Sequence, residues 1–358
     1  MKDALRKLCC LVSTICPLLA WAGFDEALKS YQARDYAAAR TEAASAADAG
    51  DARASLLLGV MVQAGQGGAA DAEQAVAHFE KAARGGIVGA YSKLAQAYSR
   101  GAGVAKDRDK ALGYARKAAS LGDPEGAFFL SVLLTNEYLS YMNANGKSDD
   151  TRYFQLAKRP LSERSIDTEA QDALYWSADK GFPMAVYMLA LKAAATTGDG
   201  NRKRMLSLAE KLGPTAPAVL QNYVKVARHM DTLGDSYASP QLFIDTQTMQ
   251  MVAGTIQTCG IRDARDEKTP MAKLVGTRVS KPVYGAVYLP TRMPGYEKAY
   301  LMAGQWEEEW TYTGCERTAA VTVKFVADGF GGAHMRSEQS GKDIPGISGA
   351  GEAKARKE

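Results

Sequence analysis

The chain has 358 residues, 46% hydrophobic and 23% charged, with a formal net charge of +4. This is the composition of a folded soluble protein with room for about two domains. It gives no support to nucleic-acid binding: the one short basic run, Asn201-Arg202-Lys203-Arg204, reads as a solvated helix start.

Lys2, Arg6 and Lys7 precede a short apolar run, residues 8–19, and the small-x-small triplet Ala20-Trp21-Ala22. That order is expected of a secretory signal peptide over 1–22, cut after Ala22, which implies a periplasmic or secreted protein. Ile15 before Cys16 argues against lipidation, and no later apolar run is long enough to span a membrane. Cleavage removes Cys9, Cys10 and Cys16. Cys259 and Cys315 remain, an even count expected to form a disulfide in an oxidising compartment. His78, His229 and His334 are scattered, so no metal site is expected.

Residues 24–49 read as an opening helix pair, with Phe24, Leu28 and Tyr31 at helical spacing and an alanine-rich second helix before Gly50. From there the sequence repeats. Gly50, Gly86 and Gly122 lie 36 residues apart, as do Leu58, Leu94 and Leu130. Gly65 matches Gly101, Gly67 matches Gly103, Asp71 matches Asp107, and Ala82-Ala83 matches Ala118-Ala119. The glycines break one helix, the aspartate caps the next, and the terminal glycine ends it in a left-handed conformation. A fixed period of this size is that of a stacked helical array, in which each unit buries its apolar face against its neighbours.

Leu94-Ala95, Tyr98, Gly101-x-Gly103-Val104, Asp107, Lys110-Ala111, Ala118-Ala119 and Gly122 together resemble the Sel1-like repeat, a relative of the tetratricopeptide repeat. The resemblance extends over about residues 24–238, with divergence at Ser131 and Leu134, and implies an α-solenoid of antiparallel helix pairs. Asp123-Pro124 opens a further unit. Its matching glycine, Gly181, comes 59 residues after Gly122 instead of 36, so an insertion falls within 136–167. Such an insertion is either a solvated loop or a functional one. Helices near Pro183–Ala190, Met205–Leu212 and Val219–Met230 complete a repeat region over 23–238.

Beyond Ser239-Pro240 a helix carrying Leu242, Met249, Val252, Ala253 and Ile256 is expected, then strands at 274–279, 283–289, 298–302, 305–313 and 319–326. The whole reads as a mainly α protein: a solenoid over 23–238, a small α+β domain with antiparallel strands over 240–335, and a disordered tail over 336–358.

Ser177-x-x-Lys180 matches a nucleophile motif, but it sits at the end of a repeat helix without the partner motifs. Gly65-Gln-Gly67-Gly68 resembles a dinucleotide loop, but it joins two repeat helices and lacks the strand that chemistry needs. Glu307-Glu308-Glu309 reads as charge on a solvated face or edge strand, with Glu308 pointing opposite to its neighbours. Trp306 and Trp310 read as core. No catalytic residue, cofactor site or metal site is therefore expected.

Tetratricopeptide repeats bind along the first helix of each pair. That resemblance implies a partner groove formed by Arg53, Gln63, Ser92, Gln96, Arg100, Phe128, Thr135, Asn136 and Tyr187. Its mixture of polar, cationic and aromatic groups suits a protein or peptide, with an envelope glycan as a second possibility. The expected function is non-catalytic protein–protein interaction or scaffolding in an exported protein. The alternative is an exported hydrolase of cell-envelope polymers, with its active site in the C-terminal domain.

Overall fold

The computed structural model describes residues 23–143, 165–198, 200–260, 270–329 and 331–337, with side chains of 136–143 left aside. The expected signal peptide over 1–22, most of the expected insertion and the tail beyond Ser337 lie outside the described residues. Twelve helices precede a four-stranded antiparallel sheet among the described residues. They form two compact units, the first ending at Ala185 and the second beginning at Val186.

In the first unit, α1 (23–32) and α2 (Tyr36–Asp48) are followed by two pairs of 13-residue helices. The pairs are α3 (Ala52–Ala64) with α4 (Ala72–Arg84), and α5 (Val88–Arg100) with α6 (Arg108–Ser120). Helices α7 (Pro124–Asn143), α8 (Ser165–Asp179) and the start of α9 (Pro183–Ala195) follow. The period is visible in the capping. Asp35, Asp71 and Asp107, 36 residues apart, each accept a hydrogen bond from the backbone N–H three residues on, at 3.1, 2.9 and 3.0 Å. Leu58, Leu94 and Leu130 are all buried. Around them lie fully buried alanines such as Ala75, Ala82, Ala90, Ala95, Ala111 and Ala118. These small side chains let neighbouring helices approach closely.

The Gly-x-Gly turn has a role beyond the break. Gly65 and Gly101 are left-handed C-caps with φ of 68° and 73°. Gly67 and Gly103 also have positive φ, and each lies against the start of the preceding pair's second helix. A Cβ on Gly67 would sit 2.1 Å from the Tyr36 carbonyl oxygen, and one on Gly103 would sit 2.1 Å from that of Ala72. The turn is therefore also the point where one repeat rests on the last.

The second unit holds the rest of α9, then α10 (Asn201–Leu212), α11 (Ala218–Leu233) and α12 (Pro240–Cys259). Its sheet has the order β1-β2-β3-β4, formed by β1 (Lys273–Tyr288), β2 (Leu301–Gly314), β3 (Arg317–Ala327) and β4 (Ala333–Ser337). One apolar core joins Met230 of α11, Leu242 and Phe243 of α12, and Trp306, Trp310, Tyr312, Val323 and Phe325 of the sheet.

The strands differ from expectation at three places. The expected strands 274–279 and 283–289 merge, all but Leu289, into one strand, β1, whose register shifts between Val279 and Tyr284. Pro282 stands at that shift; it has no N–H for the ladder, so a bulge forms where the sequence suggests a break. Residues 298–300 are not strand, and β2 starts at Leu301. β4 extends to Ser337, two residues into the expected tail, with Met335 paired to Phe325.

The glycine contacts yield a paired test. Gly86 has φ of 81° and open space around its Cβ position; Gly103 has φ of 74° and the Ala72 carbonyl beneath it. Gly86→Ala is expected to cost about 1 kcal/mol, from backbone conformation alone. Gly103→Ala is expected to cost ~1–3 kcal/mol more, as overpacking. Urea unfolding of both variants measures the difference; equal losses would contradict the stacking role.

Candidate partner-binding site

The nine groove residues separate into distinct groups. Gln63, Arg100 and Thr135 are exposed near the equivalent ends of the first-helix segments of three successive units, on α3, α5 and α7. They present an amide, a guanidinium and a hydroxyl to solvent. Arg53 is half-buried, pairs with Asp51 at 3.1 Å and lies 4.3 Å from the Phe24 ring. Gln96 donates to Glu125 at 2.8 Å, and the Phe128 ring packs 5.4 Å from that of Phe182. These three belong to the array's own contacts as well as to its surface.

Ser92 is a correction. It is fully buried and hydrogen-bonded to Asp123, the cap of α7. Its repeat equivalents, Leu56 and Phe128, are half-buried apolar side chains. A small hydroxyl there allows the next helix's capping carboxylate to approach. Asn136 lies in the helical backbone of α7, with its side chain outside the described residues. Tyr187 is half-buried on α9, in the second unit.

Two groups absent from the sequence expectation stand out. Lys93 Nζ contacts Glu125 Oε1 at 2.7 Å, so Lys93, Gln96 and Glu125 tie the α5 surface to that of α7. Tyr114 stacks between Tyr91 and Tyr98, with ring centroids 6.3 and 5.6 Å away. Burial first, and then the neighbouring Tyr98, push the Tyr114 hydroxyl above its ordinary pKa. The sequence signal for the first group is the spacing of Lys93 and Glu125, 32 residues: helix starts 36 apart bring those positions together.

The tempting motifs resolve as structure. Ser177 is fully buried and donates to the Pro124 carbonyl at 2.6 Å, while Lys180 lies 5.6 Å from the Trp176 ring. The Gly65–Gly68 segment is the repeat turn already described. The acidic triplet is neither on an edge strand nor solvated as a group, because β2 is flanked by β1 and β3. Glu307 is 7% exposed and sits between Lys281 and Lys324, at 2.9 and 3.8 Å. Glu309 pairs with Arg278 across the strands.

Glu308 is fully buried. Its Oε1 accepts from Trp306 Nε1 at 2.9 Å and the Tyr237 backbone N–H at 2.8 Å. Its Oε2 accepts from Trp310 Nε1 at 2.9 Å and Ser236 Oγ at 2.8 Å. Four donors thus hold one carboxylate against the core, a structural arrangement that fixes the segment after α11 to the sheet. On a strand, residues 306, 308 and 310 share a face. Two buried indoles need an acceptor, and the pattern Trp-x-Glu-x-Trp supplies it.

Cys259 at the end of α12 and Cys315 form a disulfide, with Cα atoms 5.2 Å apart. Cys315 and Glu316 make the two-residue β2–β3 turn, with φ of 46° and 59°, values costly for residues other than glycine. The disulfide anchors this turn to α12.

Among the described residues, no cluster of three or more His, Cys, Asp or Glu is placed to hold a metal ion, and no helix is long and apolar enough to cross a membrane.

Comparison with known proteins bears on the array. Residues 52–87 and 88–123 match the Sel1 repeat. Those are the units α3–α4 and α5–α6, each running to the start of the next first helix. No curated protein matches the chain. Among solved structures it is similar to a Sel1 repeat protein from Oxalobacter formigenes, at 19% identity and a TM-score of 0.39, covering 65% of this chain and 78% of that one. It is also similar to c5321, a protective antigen present in uropathogenic Escherichia coli strains displaying an SLR fold. There the identity is 18%, the TM-score 0.37, and the coverage 65% of this chain and 55% of that one. The Sel1 match covers the helices that carry Arg53, Gln63, Ser92, Gln96 and Arg100.

Glu308→Ala leaves the two indole N–H groups, the Ser236 hydroxyl and the Tyr237 N–H without their acceptor. It is expected to destabilise the protein by about 3–5 kcal/mol in urea unfolding. Glu308→Gln, which keeps one carbonyl oxygen, is expected to cost less. A loss below about 1 kcal/mol for the alanine variant would contradict the assigned role.

Proposed function

We propose that this chain is an exported, non-catalytic scaffold that binds a protein partner on the first-helix face of its repeat array. The observation that carries the reading is the row Gln63, Arg100 and Thr135, exposed on three successive first-helix segments whose inner faces are committed to packing. Gln63 and Thr135 stand two repeat periods apart, and Arg100 is one residue past the intervening equivalent, Ser99. Exposed polar groups thus recur near the same end of successive first-helix segments, and an extended surface of that kind suits a macromolecule better than a small substrate. Sel1 repeats belong to a class that mediates protein–protein interaction, which agrees with this surface. Export rests on the N-terminal charge-then-apolar order and the Ala20-Trp21-Ala22 site. The disulfide between Cys259 and Cys315 fits an oxidising compartment.

A photo-crosslinking amino acid placed at Gln63, Arg100 or Thr135 is expected to capture one discrete protein in cells, whereas the exposed second-helix position Lys117 is expected not to. The captured protein, purified, should lose several-fold affinity for the Arg100→Glu variant with helical content unchanged. Equal capture from Lys117, or equal affinity of the folded variant, would place the binding surface elsewhere.

A further inference from the structure

The second unit carries a charged surface that the repeat reading does not use. Helices α10 and α11 are joined by five residues, 213–217, and such a short connection makes them antiparallel neighbours. Between them opens a cleft of about 740 Å³. From α10 it is lined by Lys203, Leu206, Ser207 and Glu210; from α11 by Gln221, Val224, Lys225 and Arg228. Buried Ala209 of α10 also borders it; the other residues of each set fall at i, i+3, i+4 and i+7, one stripe on each helix.

The antiparallel arrangement sets the charge pattern. Lys203, at the start of α10, lies toward the Lys225–Arg228 end of α11. Glu210 lies toward the Gln221 end. The cleft therefore has three cations at one end, half-buried Leu206 and Val224 in its middle, and a carboxylate at the other end. The basic run that opens α10 is not uniformly solvated. Asn201 is buried and donates to the Ala299 carbonyl at 2.7 Å. Arg202 pairs with Asp231 at 2.8 Å, and Arg204 donates to the Gly295 carbonyl at 2.8 Å. Lys203, Lys225 and Arg228 are exposed, and among the described residues none of them makes an ion pair. Elsewhere in the unit Arg278 and Lys281 have carboxylates against them.

We propose that this cleft is a second docking surface, for an acidic peptide segment of a partner protein that carries an apolar anchor. Charge complementarity selects carboxylates for the cationic end, and Leu206 with Val224 selects an apolar side chain beside them. From Arg228 to Val224 is four helical residues, about 6 Å. An extended peptide covers that distance in two residues. The matching segment is thus an acidic pair followed two positions later by a large apolar residue. A nucleic-acid strand fits less well, because its next phosphates would meet Glu210. The surface is separate from the first-helix row, so failure of either assignment leaves the other standing.

The test uses the full chain and a fluorescein-labelled ten-residue peptide with an Asp-Glu pair two positions before a leucine. The controls are the same peptide with lysines in place of the acids and a labelled single-stranded oligonucleotide. Fluorescence anisotropy should show binding of the acidic peptide, weakened roughly tenfold or more when Lys203→Gln, Lys225→Gln and Arg228→Gln are combined. If the triple variant does not fold by circular dichroism, Lys203→Arg with Lys225→Arg should retain binding and Arg228→Gln alone should weaken it. Acidic peptide binding no tighter than the lysine control, equal binding by a folded charge-removed variant, or tighter binding of the oligonucleotide would each overturn the proposal.

Discussion

The array depends on how closely one repeat can rest on the last. The second glycine of each Gly-x-Gly turn lies where any side chain would collide with a backbone carbonyl, that of Tyr36 beneath Gly67 and of Ala72 beneath Gly103. This contact and the alanine-lined interior hold the helices near enough for Leu58 and Leu94 to share one apolar core and Leu130 to lie in the next, with Tyr98 and Tyr114 packed against both. Packing consumes the inner faces of the first helices and leaves their outer positions exposed. The position of Gln63, Arg100 and Thr135 follows from that constraint.

A different constraint governs the second unit. The sheet presents two tryptophans to its core, and their indole N–H groups must be satisfied in a place water does not reach. Glu308, between them on the same face, satisfies both and uses its remaining capacity on Ser236 and the Tyr237 N–H. Those two residues follow α11, so one carboxylate ties the helical segment to β2. The disulfide supplies a second tie, from α12 to the β2–β3 turn. Closing a loop with a sequence separation of 56 is worth about 4 kcal/mol in the chain-entropy model.

Much of the array is legible in the sequence because its determinants are local and periodic. Asp107 as a cap, Gly101 and Gly122 as left-handed residues, and the buried leucines all depend on spacing along one chain segment. The residues whose sequence reading fails depend on neighbours distant in the chain. Ser92 has the character of an exposed polar group until Asp123 of the next unit comes against it. Glu308 resembles solvated charge because three adjacent glutamates disguise the alternation. The tryptophans on either side are the clue to its burial, through their need for an acceptor. Pro282 has the character of a strand end, but a partner strand absorbs it as a bulge. The acidic triplet has three fates because cross-strand partners decide them: Lys281 and Lys324 for Glu307, two indoles for Glu308, Arg278 for Glu309.

Hydrogen–deuterium exchange on the protein with and without its captured partner tests the central claim most directly. The account predicts that binding slows exchange along the first-helix segments, residues 53–64, 88–100 and 124–135, while the strands over 273–337 keep their rates. Slowed exchange confined to those strands, with the first helices unchanged, would contradict it.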